Sequence, residues 1–243
     1  SSLATGSGIS TISGGRIKTA GAQTYRGAVE LGANATIETI SASPVTFEGA
    51  VDSVSAAEYA LTVLGKAQPE FKGDVGFGAK GLSALNTGAD TQTSINTARM
   101  KTSGAQTYGG SVLVKKNATL TATLVTFAGT LDGGHALTMA GATAQTFDGV
   151  VGGAEPLASL TAGAGASAIN GGLIKTSGAQ TYHGAVLLGK NAVIETLSAS
   201  PVTFEGTVNS AGPAEYALSV GGKAQPEFKG DVGFGAKGLS ALN

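Results

Sequence analysis

FKGDV at residues 71–75 returns unchanged at 228–232, and variants of it stand at seven other places: YRGAV (25–29), FEGAV (47–51), YGGSV (108–112), FAGTL (127–131), FDGVV (147–151), YHGAV (182–186) and FEGTV (204–208). The shared pattern is an aromatic residue, any residue, glycine, any residue, then an aliphatic. The aromatic is Tyr25, Phe47, Phe71, Tyr108, Phe127, Phe147, Tyr182, Phe204 or Phe228. The glycine is Gly27, Gly49, Gly73, Gly110, Gly129, Gly149, Gly184, Gly206 or Gly230. The aliphatic is Val29, Val51, Val75, Val112, Leu131, Val151, Val186, Val208 or Val232. Six of the eight Phe and three of the five Tyr fall in this motif, so a repeat places the aromatics and no single site does. Self-similarity at such a period marks a solenoid.

Three large repeats, approximately 1–83, 84–157 and 158–243, align on Ile12, Ile95 and Ile169. The first and third are nearly one text: SASPVTFEG (41–49) recurs at 198–206, and KAQPEFKGDVGFGAKGLSALN (66–86) recurs at 223–243, both at an offset of 157. Within a repeat the motif returns after 22 and 24 residues, or 19 and 20 in the middle copy, and then after a gap of 37 or 35. Each short interval reads as one coil, and each long gap as two tight coils of roughly 18 residues. The expectation is about four coils per large repeat and about 12 in all, a rod of about 55–60 Å at the usual strand spacing. The chain starts and stops inside repeats, so it reads as one β-solenoid segment of a longer repeat protein.

Local patterns favour strands. ATIETI (35–40), YALTVL (59–64), SVLV (111–114), ATLTATLVTF (118–127) and YALSV (216–220) are rich in Thr, Val, Ile and Tyr and mostly alternate with period two. Turn formers such as LGAN, SASP, LDGG and GGAEP lie between them. No window holds an amphipathic helical pattern with start and stop signals, so essentially no helix is expected. The motif glycine suits a coil corner, either because φ is positive there or because stacked coils leave no room for a Cβ.

Composition agrees. Hydrophobic residues make up 42% and charged ones 13%, with 39 glycines, which fits small side chains threading a narrow core and not disorder. Fifteen basic against 16 acidic residues give a net charge of -1, which provides no footprint for nucleic acid or an anionic membrane. With no cysteine, neither disulfides nor thiolate metal sites are available. No apolar run is long enough for a spanning helix, and SSLATGSGIS lacks the marks of a signal peptide.

Candidate sites each meet a plainer explanation. GFGAKG (76–81 and 233–238) spells GxGxxG, but LSALN follows it where a dinucleotide fold needs a helix, so it reads as a turn. His135 aligns with Tyr59 and Tyr216, and His183 with Arg26 and Gly109, so neither histidine is tied to a singular catalytic or metal-binding constellation. Glu70 with Asp74, and Glu227 with Asp231, flanked by Lys72 and Lys229, are the best acidic pairs for a carbohydrate-active β-helix enzyme. Their duplication reads as a solvated outer face. Asp90, Asp132 and Asp148 lack the tandem nonapeptides of a calcium β-roll. Asn34 and Asn117 match the N-glycosylation sequon, whereas the third copy, Asn191, does not. No catalytic residue, cofactor or metal is expected.

SGAQTYHGAVLLGKNAVIETL (177–197), VTFEGTV (202–208) and GVVGGAEPLASLTAGAGASAINGG (149–172) resemble repeats of filamentous-haemagglutinin-like adhesins, surface exoproteins of Gram-negative bacteria often secreted by a two-partner route. The resemblance covers nearly the whole chain. It implies a right-handed parallel β-helix, located outside the cell at the bacterial surface, serving as the shaft of an adhesin or filament. Partners implied are host or matrix glycans or proteins, or other copies of the chain end to end. The alternative is a self-assembling extracellular fibre or sheath subunit.

Overall fold

The computed structural model describes residues 1–55, 57–78, 80–234 and 237–243. Its regular structure is entirely strand, and among the described residues there is no helix. Every strand pair is parallel, each strand lying on its equivalent one coil later: Tyr25 pairs with Phe47, Phe47 with Phe71, Tyr108 with Phe127 and Tyr182 with Phe204. The chain is a three-sided β-solenoid.

Taking the sides in chain order, the first carries Leu3–Ala4, Gln23–Tyr25, residues 43–47 and 67–71, Gln92–Ile95, Ser111–Val114, Leu131–Asp132, the bridge residue Val151, Leu173–Thr176, Ala192–Thr196, Tyr216–Gly222 and Leu239–Leu242. Those twelve levels enclose 11 turns. The second side runs from Ser10–Ile12 through Val29–Leu31, Arg99–Lys101 and Ala136–Ala140 to Gln225–Phe228. The third runs from Arg16–Thr19 through Leu82–Thr87, Ala105–Tyr108 and Ala144–Phe147 to Val208–Ser210. In the first repeat the strands Ala35–Phe47 and Tyr59–Phe71 pass the corner from third side to first without a break.

The count differs from the expected 12 coils, and the long gaps are the reason. From Phe71 on the first side the chain visits Val75 (second), Leu82–Thr87 (third), Ile95 (first) and Met100 (second) before Tyr108 on the third side. That is five sides, or 1⅔ turns, where two turns were expected. The arithmetic is even: 37 residues over five sides is about 7.4 per side, and 22 over three is about 7.3. A large repeat is therefore 3⅔ turns, and three of them make 11. Each repeat starts one side back from the last, with Tyr25 on the first side, Tyr108 on the third and Tyr182 on the second.

Inside, the motif aromatics stack three high and then change sides. Ring centroids are 5.2 and 5.0 Å apart in Tyr25–Phe47–Phe71, 5.1 and 5.8 Å in Tyr108–Phe127–Phe147, and 5.2 and 4.8 Å in Tyr182–Phe204–Phe228. The first eight rings are buried and Phe228 is half-buried. Burying each ring contributes about 3 kcal/mol. The motif aliphatics Val29, Val51, Val75, Val112, Leu131, Val151, Val186 and Val208 enter the same core from the next side, and Val232 packs against it partly buried. The motif spans one corner, with its glycine at the bend. None of these glycines has a positive φ. A Cβ on Gly49 would lie 2.6 Å from the carbonyl carbon of Gly27, one on Gly73 2.3 Å from Gly49, one on Gly149 2.1 Å from the oxygen of Gly129, and one on Gly206 2.5 Å from Gly184. Close stacking of backbone on backbone, and not turn geometry, selects glycine here.

Candidate functional site

Since the interior is filled by ladders, any partner meets the outward side chains. At the corner before each first aromatic, one phrase recurs. Thr19, Thr102 and Thr176 each donate a hydroxyl hydrogen bond to the carbonyl two residues on, at 2.6, 3.0 and 2.5 Å. The following Gln23, Gln106 and Gln180 are buried, and their Oε1 atoms accept from the hydroxyls of Tyr25, Tyr108 and Tyr182 at 2.8, 3.0 and 2.8 Å. Burial pushes all three phenols well above their ordinary value, holding them neutral. Where phenylalanine replaces tyrosine at Phe147, Gln145 Oε1 instead accepts from the Gly163 N–H at 2.6 Å. The text AQT before Tyr25, Tyr108, Phe147 and Tyr182 is the signal for this glutamine; the motif alone is not.

The acidic pairs face outward in both copies. Glu70 takes Lys115 at 3.3 Å, Lys72 at 3.7 Å and the Asn96 amide at 3.1 Å. Partial burial works against its ionised form, but the Asn96 amide, Lys115 and Lys72 outweigh it and hold the carboxyl below its usual range. Asp74 binds Arg99, whose guanidinium also covers the Phe77 ring at 4.3 Å. In the second copy Glu227 has Lys229 at 3.8 Å and accepts from the Thr203 hydroxyl at 3.4 Å. Glu205, hydrogen-bonded to His183 Nδ1 at 2.7 Å and near Lys229, is lowered mainly by His183. Glu38 is lowered by Lys18 and Arg16. These are outer-face ion pairs, some within a coil, as Glu70 with Lys72, and others between coils, as Glu38 with Lys18.

The remaining candidates do not converge. Asp132 Oδ1 accepts from the Ala154 and Glu155 N–H groups at 2.9 and 3.3 Å, Asp148 accepts from Asn170, and Asp90 lies in an exposed turn. Among the described residues no three His, Asp or Glu side chains gather as a metal site. Asn34, Asn117 and Asn191 are exposed, and each Oδ1 takes the N–H of Ala60, Ala136 or Ala217 one coil on, at 2.9, 2.9 and 3.0 Å. This brace accounts for the asparagine in all three repeats, with or without a sequon. In GFGAKG, Gly76 turns at φ 71° and Gly78 donates to Asp52, and the strand Leu82–Thr87 follows where a dinucleotide site needs a helix. Ala79 of the first copy, and Gly235 and Ala236 of the second, lie outside the described residues.

One feature of shape was not readable from the motifs. Four depressions of about 420, 250, 230 and 200 Å³ adjoin along the first side and share Gln68, Gln92, Ser111, Leu113, Lys115 and Glu155. His135 lies at the far end of this trough. Comparison of the chain with protein-family models, with curated proteins and with solved structures finds no match.

Proposed function

We propose that this chain is a segment of the rigid shaft of a bacterial surface adhesin or filament, carrying binding elements away from the cell. The observation that supports this reading most is the division of labour in the motif: ring, glycine and aliphatic hold one core through 11 turns. Meanwhile the outward motif position next to the ring varies among Arg26, Glu48, Lys72, Gly109, Ala128, Asp148, His183, Glu205 and Lys229. A coil that contacts only its neighbours can be added or removed without redesign, which suits a spacer. The phrases shared with filamentous-haemagglutinin-like repeats point the same way and carry the expectation of an extracellular location.

The test is an in-frame deletion of residues 25–107, which joins Thr24 to Tyr108 and restores the QTY text at the junction. It removes 3⅔ turns and shortens the rod by about 18 Å, measurable by small-angle scattering on the chain and by electron microscopy on the displayed protein. Adhesion carried by elements outside the deleted segment is retained, and unchanged length overturns the shaft reading.

A further inference from the structure

The trough on the first side has a floor that chemistry can read. Pro44 is level with Gln68, and Gln92 with Ser111. Glu70 is level with Ser94, Ser94 with Leu113 and Leu113 with Asp132. Two residues before the Glu70–Ser94 pair, Gln68 comes level with Gln92, and both line the same two depressions. Two parallel rows of outward side chains therefore run along the rod axis, crossing the strands. The turn at Ala89–Thr91 and Lys66 flank one edge, and Lys115, His135 and Glu155 the other. From Pro44 to Glu155 the trough crosses five coil steps, about 24 Å at the strand spacing.

Three properties select the occupant. The middle of the floor offers uncharged hydrogen-bonding groups, the amides of Gln68 and Gln92 and the hydroxyls of Ser94 and Ser111, while charges of both signs, Lys66 and Lys115 against Asp90 and Glu155, stand around it. Two of the bordering carboxylates are already engaged, Glu70 by Lys115 and Lys72, and Asp132 by backbone N–H groups. The backbone of each floor strand is spent on its neighbours above and below, so no main-chain ladder is open to an added peptide strand. The side-chain sets repeat at about 4.8 Å, whereas an extended peptide presents like-facing side chains about 6.7 Å apart and loses step within two coils. A chain of hydroxyl-bearing rings, each about as long as one coil is high, keeps step. We infer that the trough over Gln68, Gln92, Ser94, Ser111 and Leu113 binds a linear, neutral polysaccharide lying along the rod axis.

The test is titration calorimetry of the whole chain with cellohexaose, chitohexaose and mannohexaose as neutral probes, and with hexagalacturonate and an extended Ser/Gln peptide as comparators. At least one neutral hexasaccharide binds and both comparators fail. Ser111→Trp, which fills the trough from an outward position, abolishes binding. The double variant Gln68→Ala with Gln92→Ala weakens it about ten-fold, the effect of losing one or two hydrogen bonds. Thr146→Trp, outward on the third side, leaves binding unchanged, and circular dichroism verifies each fold. If Ser111→Trp does not fold, the alanine pair decides. The inference is overturned if no neutral hexasaccharide binds at millimolar concentration, if binding ignores these substitutions, or if either comparator binds the trough instead. The shaft reading survives such a failure, because rod length tests it separately.

Discussion

Residues 66–86 and 223–243 are the same 21 residues in two settings. The first copy lies within the rod with further coils above it, and the second forms the last turn of the described structure. Their own geometry agrees: Gly65 and Gly222, which precede the two copies, have φ of 73° and 72°, and Gly76 and Gly233 have 71° and 70°. Their surroundings do not. Phe71 is fully buried while Phe228 is half-buried. Phe77 is half-buried beneath Arg99, whereas Phe234 is 75% exposed. Local text thus sets the path of a coil, and the coil above it supplies much of the burial. The two copies also lie on different sides, residues 67–71 on the first and Gln225–Phe228 on the second, so the three sides are interchangeable to this sequence.

The sharpest way to break this comparison is to remove the same ring from each copy. Phe71→Ala opens a cavity between two neighbouring coils and costs about 3–5 kcal/mol, the range for a fully buried ring. Phe228→Ala has a partner on one side only, Phe204, and costs roughly half as much. Hydrogen exchange resolved by coil is the measurement, since a linear array need not unfold in one step. Equal costs at the two positions sink the account in which neighbours supply the burial.

A second pair of substitutions reverses the expectation. The motif glycines meet the preceding coil, which both copies possess: a Cβ on Gly73 falls 2.3 Å from Gly49, and one on Gly230 falls 2.5 Å from Gly206. Gly73→Ala and Gly230→Ala each force two backbones apart and cost about 1–3 kcal/mol. Gly212→Ala, where no atom lies within 4 Å of the added carbon, is the control and changes little. A large difference between Gly73 and Gly230 in urea midpoints shows that the later coil matters even for contacts it does not make.

Smaller again is the effect of the tyrosine hydroxyl. Tyr108→Phe leaves the Gln106 Oε1 buried without its donor and costs about 1–2 kcal/mol. The Gln145–Phe147 pair shows how the fold tolerates phenylalanine, through the Gly163 N–H. Gln106→Leu also removes the amide's donations to the Met100 and Thr121 carbonyls, so the double variant with Tyr108→Phe costs less than the sum of the singles; one worse than that sum contradicts the pairing.

Most of the architecture was legible because a solenoid writes its rules locally. The motif rings and aliphatics lie in the core, those of the last copy only partly buried, and the absence of helical periodicity matches a structure built of strands. The coil count was not legible. In the long gaps the inward positions include Leu82, Thr93, Ile95, Met100, Leu160 and Ile174, residues that carry no mark of a corner, so 37 residues divide as readily into two coils as into five sides. The trough was hidden for a related reason. Gln68, Gln92 and Ser111 come together at spacings of 24 and 19 residues, which become a straight line only once the coils are stacked in register.

The smallest effect tests the outer face. Glu70, with a side chain 23% exposed, holds Lys115, Lys72 and Asn96, while its copy Glu227 is 58% exposed and holds one lysine, Lys229, and a long contact from the Thr203 hydroxyl. Ion pairs at such a surface contribute about 0–1 kcal/mol. Glu70→Gln therefore lowers stability near neutral pH by no more than about 1 kcal/mol, and Glu227→Gln by less than can be resolved. The sign with pH follows from Glu70 being held below the ordinary glutamate value. Its contribution is complete above that ordinary value and is lost as the pH falls through the lower folded value, because the unfolded chain takes up the proton first. Urea midpoints of the native chain and Glu70→Gln thus differ at neutral pH and converge in acid. A gap that widens in acid, or one equally large for Glu227→Gln, means that the coil above Glu70 adds nothing to its charge.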